Sequence, residues 1–431
     1  METISRIYKL FLENPVISTD SRKITKGSIF FALKGENFDG NKYANDALNA
    51  GCVAAIVDDP EINHPNCIYV ENVLTTLQTL SNIHRKSLGI KVIGITGSNG
   101  KTTTKELIYN VLKQKYNVHA TVGNLNNHIG VPLTLLSLTK DTEIAIVEMG
   151  ANHPGEIMEL AKIAEPDYGL ITNIGRAHLG GFGSFEGVKK TKGELYEYIS
   201  INGGVVFYNA ANDILNDLIK KYSLEDYAIP YGYGYRSISI SKSNNPFLKV
   251  EVINHNGDSF IEIQTSLVGS YNFENVYAAM TVGKYMGVPV EKIRIAIESY
   301  TPSNSRSQLV KTKLNTLVLD AYNANPTSME NALENFSKIE GDNKIVMLGE
   351  MLELGEYSDD EHKRIVALAK SLGFSSIYLV GKGFGKFSEG CLYFGSSDDC
   401  ANYLLNNPIQ NSVILVKGSR GVKLEKVVPF L

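Results

Sequence analysis

GITGSNGKTTTKE, residues 94 to 106, follows the apolar run 92–95 and leads into Leu107, Ile108, Val111 and Leu112, which recur at helical spacing. A strand, a glycine-rich turn and a helix therefore follow one another. Glycines in such a turn let backbone amides approach phosphate oxygens, and the helix N-terminus adds positive potential. Gly97, Ser98, Asn99, Gly100 and Thr103 would form the cradle; Lys101 would reach the β- and γ-phosphates, and the Thr102 hydroxyl a Mg²⁺ ion. The loop is tighter than the GxxxxGK[ST] pattern, whose first glycine would fall on Ile95. An incidental glycine turn before a helix is the competing reading.

Outward from this loop, the runs 144–147, 170–172 and 205–207 are short and apolar, and most precede helix-like stretches. Such alternation predicts a parallel sheet with helices on both faces. From about 227 to 268 the chain is β-rich, with FLKVEVI and SFIEIQTSLV flanking a turn at 254–258. A third αβ pattern begins near 305, with apolar runs at 317–319, 345–348, 377–380 and 413–416. Ahead of residue 89, runs at 29–33, 52–57 and 68–70 alternate with polar, glycine-bearing turns. The expectation is an α/β protein of three domains: a small mixed α/β domain (1–88), a central P-loop-type ATPase domain with a mostly parallel sheet and a small β-rich part (89–303), and a Rossmann-like C-terminal domain (304–431). Linkers are expected at 87–91 and 301–306. At about 150 residues per domain, 431 residues give the same count.

With 43% hydrophobic and 20% charged residues, each domain can bury a core. Lys plus Arg number 42 against 46 Asp plus Glu, a net charge of −4, which gives no surface for nucleic acid or anionic membrane. Cys52, Cys67, Cys391 and Cys400 form no CxxC pair and read as reduced thiols. METISRIYKLFLENP alternates charge with apolar groups, unlike a signal peptide. The expectation is a cytoplasmic protein without stable membrane insertion, and no motif specifies an oligomeric state.

Three further residues could converge above the central sheet: Glu148 after the run 144–147, His178 after 170–172, and Lys192 in EGVKKTKGELYEYI. If 185–200 is a helix, Val188, Lys192, Leu195 and Ile199 form its apolar stripe. Burial lowers a lysine's pKa, and a neutral amine can take up CO₂ to give a carbamate, an oxygen ligand suited to Mg²⁺. Alternatively, Lys192 reaches water along its stem. Asn272 and Asn275 share one helix face, where Asn272 could instead cap the helix. Arg306 sits in the second linker, and Asp320 closes the run 317–319 before a polar loop holding Tyr322, Asn323 and Asn325.

TGSNGKTT resembles the short phosphate loop of the Mur ligases and the related folylpolyglutamate synthases. These enzymes use ATP to turn a carboxylate into an acyl phosphate that an amine then attacks. The resemblance implies ATP and two Mg²⁺ ions, with Thr102, Glu148, His178 and carbamylated Lys192 as metal ligands and Lys101, Lys192 and His178 as catalytic residues. It implies adenine contacts from Asn275 and Asn272, in a segment where Tyr271 replaces a common histidine. Arg306 and Asp320 would meet the phosphates and ribose. Asp20, Ser21 and Arg22, in TDSRK, are similar to a segment that holds a UDP-sugar; Asn41 nearby also stands where histidine is usual. DAYNANP and LGEMLELG, with NLNNHIGVPLTLL, resemble the branch of the family that joins D-alanyl-D-alanine to UDP-N-acetylmuramoyl-tripeptide. On that basis Asn127, Tyr322, Asn323 and Asn325 are candidate substrate contacts. The alternatives are another ligase of the group, or a nucleotide-binding switch without acyl transfer.

Overall fold

The computed structural model describes residues 2–232, 235–238, 246–253, 259–302 and 306–431. Its first sheet is parallel and four-stranded, in the spatial order Ile17–Ser18, Ile29–Phe31, Ala54–Val57, Cys67–Tyr69. Alternation along the strands divides two cores: Ile29, Phe31 and Ile56 pack on one face with Ile7 and Phe11 of the helix Glu2–Glu13, while Phe30, Ala55 and Val57 pack on the other.

The helix Val73–Leu88 starts at Asn72, whose side chain accepts the Thr75 amide at 2.8 Å, and ends at Gly89 in the left-handed region. Its far end is tied to the central body. The Arg85 guanidinium donates to the carbonyls of Ala164 (3.0 Å) and Glu165 (2.7 Å), and His84 bonds the Leu138 carbonyl at 2.9 Å. The linker expected at 87–91 is thus shorter in the structure. The helix keeps Ser87 and Leu88, and Lys91 already begins the next strand.

The central sheet is parallel and six-stranded, in the order Ala228–Tyr231, Val205–Asn209, Tyr168–Ile171, Lys91–Thr96, Ile144–Glu148, Val118–Ala120. Val92 faces a core containing Leu195 and Ile199; Ile93 and Ile95 face one containing Leu107 and Val111. Lys91–Thr96 lies between Tyr168–Ile171 and Ile144–Glu148, so the loop after Thr96 meets residues following both neighbours. Part of the β-rich stretch, Ala228–Tyr231, joins this sheet. The rest is a separate antiparallel sheet of Tyr235–Ile238, Phe247–Ile253 and Ser259–Val268. The turn expected at 254–258 and residues 303–305 of the second linker lie outside the described residues.

The last sheet runs Gln308–Lys311, Thr316–Asp320, Val413–Lys417, Lys344–Gly349, Ser376–Val380, Leu392–Phe394; only its first strand is antiparallel to its neighbour. Both faces are covered by apolar cores. The four cysteines are free thiols. Among the described residues, no helix is long and apolar enough to cross a membrane.

Candidate active site

A cleft of about 830 Å³ opens at the carboxyl ends of the central strands and is walled on its far side by the last sheet's loops. The phosphate loop forms its floor. Gly97 has φ +140°, and a Cβ there would sit 2.0 Å from Thr172 Oγ1; Gly100 has φ +79°, and a Cβ would fall 2.5 Å from Asn275 Oδ1. A Cβ at either position would collide with these neighbours, and both backbones lie in the region glycine favours, which explains the glycines. Lys101 opens the helix Lys101–Leu112, and its ammonium donates to the carbonyls of Gly97 (2.7 Å) and Ser98 (3.3 Å). Burial pushes its pKa down against the pull of Glu148.

Beside it, Thr102 Oγ1 donates to Glu148 Oε2 at 3.0 Å, and Asn126 donates to Glu148 Oε1 at 2.9 Å. A hydroxyl and a carboxylate in contact beside a phosphate loop form an all-oxygen donor set suited to Mg²⁺. Lys105 also reaches Glu148, at 3.7 Å, while donating to the Thr121 carbonyl at 2.6 Å. Lys105 was not anticipated. The signal was available, because it precedes Ile108 and Leu112 by three and seven residues and so belongs to the helix's buried face.

Lys192 lies in the helix Phe185–Asn202 and is 1% exposed, with Val188, Leu195 and Ile199 fully buried around it. It does not reach water. Its Nζ is 3.5 Å from the Ala151 carbonyl and 5.3 Å from the Phe182 ring centroid. Burial drives its pKa well below the ordinary value; Lys101 lowers it further, while Glu156 and Glu194 oppose the shift. An uncharged amine fits this position.

His178 lines the cleft with Glu148, but its Nδ1 is paired with Glu353 of the last sheet's loops. Among the described residues, no three of His, Cys, Asp or Glu cluster closely enough to hold a metal. The expected set of Glu148, His178 and Lys192 therefore brings two side chains to the cleft and one beneath it.

Asn272 and Asn275 both line the cleft; Asn272 stands at the N-cap position of the helix Phe273–Tyr285, but its side chain makes no capping bond. Asn272 donates to the Val268 carbonyl (2.8 Å) and accepts from Asn275 (2.9 Å); Asn275 in turn accepts from Thr104 (3.0 Å). This chain of bonds locks the segment onto the phosphate-loop helix. Tyr271 bonds Ser307 at 2.8 Å, linking the same segment to the start of the last domain.

From that domain, the Arg306 guanidinium stacks 3.6 Å from the centre of the Tyr322 ring, with Arg420 at 5.7 Å. Asp320 accepts from Lys417 at 2.6 Å, and Asn325 donates to Asn99 of the phosphate loop at 2.8 Å. Asn325 also caps the helix Pro326–Ser337. Lys417, 2% exposed, was missed although it ends an apolar run just as Asp320 does. Asn127, Asn323, Ser98 and Thr103 line the cleft as well.

Asp20, Ser21 and Arg22 do not line it. They form an exposed turn in which Arg22 is paired with Asp20 at 2.8 Å. Nor does Asn41 offer a free contact. It is 4% exposed and donates to Asp39 (2.9 Å) and Asp58 (2.8 Å).

Three family models match the chain: "Mur ligase family, catalytic domain" over 15–98, "Mur ligase middle domain" over 95–283, and "Mur ligase, glutamate ligase domain" over 305–420. The UDP-N-acetylmuramoyl-tripeptide–D-alanyl-D-alanine ligase of Bacillus subtilis is 36% identical, with 100% of this chain and 98% of the relative aligned. The Escherichia coli enzyme of that name is 33% identical over 96% and 93%. A crystal structure of MurF from Acinetobacter baumannii superposes with a TM-score of 0.86 at 31% identity, covering 96% of this chain and 92% of that one. MurF from Thermotoga maritima in complex with ADP gives 0.84 at 28%, covering 97% of both. Phosphate loop, interdomain cleft and end-to-end similarity agree: the chain belongs to the Mur ligase family.

Proposed function

We propose that the protein is an ATP-dependent ligase that joins D-alanyl-D-alanine to UDP-N-acetylmuramoyl-tripeptide, giving the pentapeptide used in peptidoglycan synthesis. One observation carries this reading. The phosphate loop, the Thr102–Glu148 pair, and Arg306, Asp320 and Asn325 of the last domain all line a single cleft. The first domain (1–88) would hold the UDP-sugar, the second (89–303) ATP, and the third (304–431) the incoming dipeptide.

The tripeptide carboxylate attacks the γ-phosphorus of ATP, an oxygen–phosphorus bond forms, and ADP leaves. The dipeptide amine then attacks the acyl carbon, an amide bond forms, and phosphate departs as the amine loses a proton. In the first step two anions must meet, so the work is charge neutralisation and alignment. Lys101 and Arg306 supply positive charge at the phosphates. Asp320, held by Lys417, would meet the ribose. Mg²⁺ at Thr102 and Glu148, with a second ion at His178, Glu148 and carbamylated Lys192, would supply further neutralisation of the phosphoryl oxygens. Tyr322, Asn323, Asn325 and Asn127 offer phenol and amide groups to the peptide ends. Asp20, Ser21 and Arg22, outside the cleft, would hold the nucleotide end of the substrate. Substrates of this kind, with ATP, place the reaction in the cytoplasm.

Phosphate release is the direct test. It should require ATP, UDP-tripeptide and D-alanyl-D-alanine together; full release with another amine in place of the dipeptide would overturn the reading. Arg306→Ala should lower kcat/KM for ATP by about 10- to 100-fold, or ~1.4–2.7 kcal/mol of transition-state stabilisation. Its melting temperature should move little, because a half-buried cation–π contact contributes only about 0.5–2 kcal/mol. An unchanged rate would make Arg306 a linker charge.

A further inference from the structure

At the tip of the phosphate loop the main chain is already engaged. The Ser98 amide donates to the Asn173 carbonyl at 2.9 Å, and the Asn99 amide to Asn173 Oδ1 at 3.0 Å. The Asn99 carbonyl accepts from Thr172 Oγ1 at 2.6 Å and from Asn173 Nδ2 at 3.2 Å. The Ser98 hydroxyl is used too, donating to the Gly175 carbonyl (3.1 Å) and accepting the Gly175 amide (2.9 Å). All of these partners belong to the central domain. They leave the Asn99 side chain undecided, and that is held from the last domain: Asn325 Nδ2 donates to Asn99 Oδ1 at 2.8 Å.

The direction of this bond is dictated from farther back. The Ser328 amide can only donate, and it meets Asn325 Oδ1 at 2.9 Å as part of the helix cap. Nδ2 of Asn325 must then face Asn99, and Asn99 must answer with Oδ1. Its own Nδ2 is turned the other way, where it is buried and, among the described residues, has no hydrogen-bond partner. A buried donor without an acceptor is costly and calls for an oxygen the protein does not provide. Thr327 seats the same helix start on the central domain: its hydroxyl accepts the Arg176 amide at 2.9 Å, and a Cβ on Gly175 would lie 3.0 Å from Thr327 Oγ1. Asn325, offered above to the peptide, thus has its amide engaged at both ends.

We infer that Asn325 is a positioning residue for ATP: while the last domain is docked, it turns the Asn99 carboxamide so that Nδ2 is the end left for a phosphate oxygen. This rests on the reading of the cleft as the ATP site. Nucleotide binding and docking of the last domain then favour each other, because each completes the same carboxamide.

The test uses the full chain and a non-hydrolysable ATP analogue, with binding read by calorimetry, beside the KM values for ATP and for D-alanyl-D-alanine. Asn325→Ser keeps an oxygen that can cap the helix and drops the donor to Asn99, so the melting temperature should stay near that of the wild type. Affinity for the analogue should fall by about 5- to 10-fold, the worth of one hydrogen bond. KM for ATP should rise with it, and KM for the dipeptide should stay. Asn325→Gly, also tolerated at a helix cap, should show the same loss. Asn99→Ala should bind the analogue more weakly, and adding Asn325→Ser to it should weaken binding no further, because Asn325 acts through Asn99. Wild-type affinity in Asn325→Ser or in Asn99→Ala overturns the inference. So does a second loss on top of Asn99→Ala, which would place the effect elsewhere. A raised KM for the dipeptide alone returns Asn325 to the peptide and overturns it too. None of these results touches the ligase reading, which fails only if wild-type phosphate release does not need the dipeptide.

Discussion

Lys101→Ala is expected to abolish pentapeptide formation while the protein stays folded. The Lys101 ammonium lies at the mouth of the helix Lys101–Leu112, held by two loop carbonyls. Once phosphates approach, it is the cation nearest the loop backbone. Losing it removes charge stabilisation where the attacking carboxylate and the γ-phosphate repel each other, and a loss of at least about 10³-fold in kcat, ~4 kcal/mol, is expected. Stability should hold. Burial already disfavours the charged form of this group, so alanine relieves a desolvation cost while removing two hydrogen bonds. Product formation near the wild-type rate, followed by chromatography, would refute the phosphate-loop assignment. A melting transition at the wild-type temperature shows that the loss is chemical.

Lys192→Ala should show the second large effect, with a different signature. A carbamate at this position is an anion that the mutant lacks, so turnover should fall by at least about 100-fold, ~2.7 kcal/mol. Formate or acetate should restore part of it by occupying the space left behind. Wild-type rates without added acid would sink the carbamate. The pH dependence of stability tests a different point, the burial of Lys192 as a free amine. Lys192 in the folded protein has a pKa well below 10.5, so between its folded value and 10.5 the unfolded chain binds one more proton than the native state. Stability therefore rises with pH across that window, by up to about 1.4 kcal/mol per pH unit from this group. In Lys192→Met, which fills the site without a charge, that part of the slope should vanish from urea midpoints measured across the window.

What could be read from the sequence was whatever depends on local order. The phosphate loop was legible because strand, glycines, lysine and helix are consecutive. The place of Lys192 on an apolar stripe was legible within a single helix, but the stripe left open whether its ammonium reaches water. Glu148 and Asp320 followed from the rule that chemistry gathers at the carboxyl ends of parallel strands. Hidden were pairings between distant parts of the chain. Lys417 on Asp320, Asn325 on Asn99, Glu353 on His178 and the stacking of Arg306 on Tyr322 depend on the packing of whole elements. Lys105 was overlooked for another reason: it sits on an apolar face like Lys192, yet its partner Glu148 comes from a strand more than forty residues away. Asn272 exposes a limit of motif reading. Its position suits a helix cap, but the Val268 carbonyl is nearer to hand and takes its amide.

The two outer domains are attached to the central one in different ways. Leu136, from the middle of the chain, belongs to the apolar core of the first domain, and the helix Val73–Leu88 is bonded into the central body by Arg85 and His84. The last domain touches the same body through polar pairs, Asn325 with Asn99, Thr327 and Glu361 with Arg176, and Asn335 with Ser270, and through smaller apolar contacts at Val268, Phe247 and Tyr357. Polar interfaces exchange protein partners for water at little cost, whereas a shared apolar core does not. If the cleft closes on its ligands, the last domain is therefore the one expected to move against the other two. Such a hinge would put a wedge site between the domains, where a small molecule is expected to halt turnover without touching a single reacting atom.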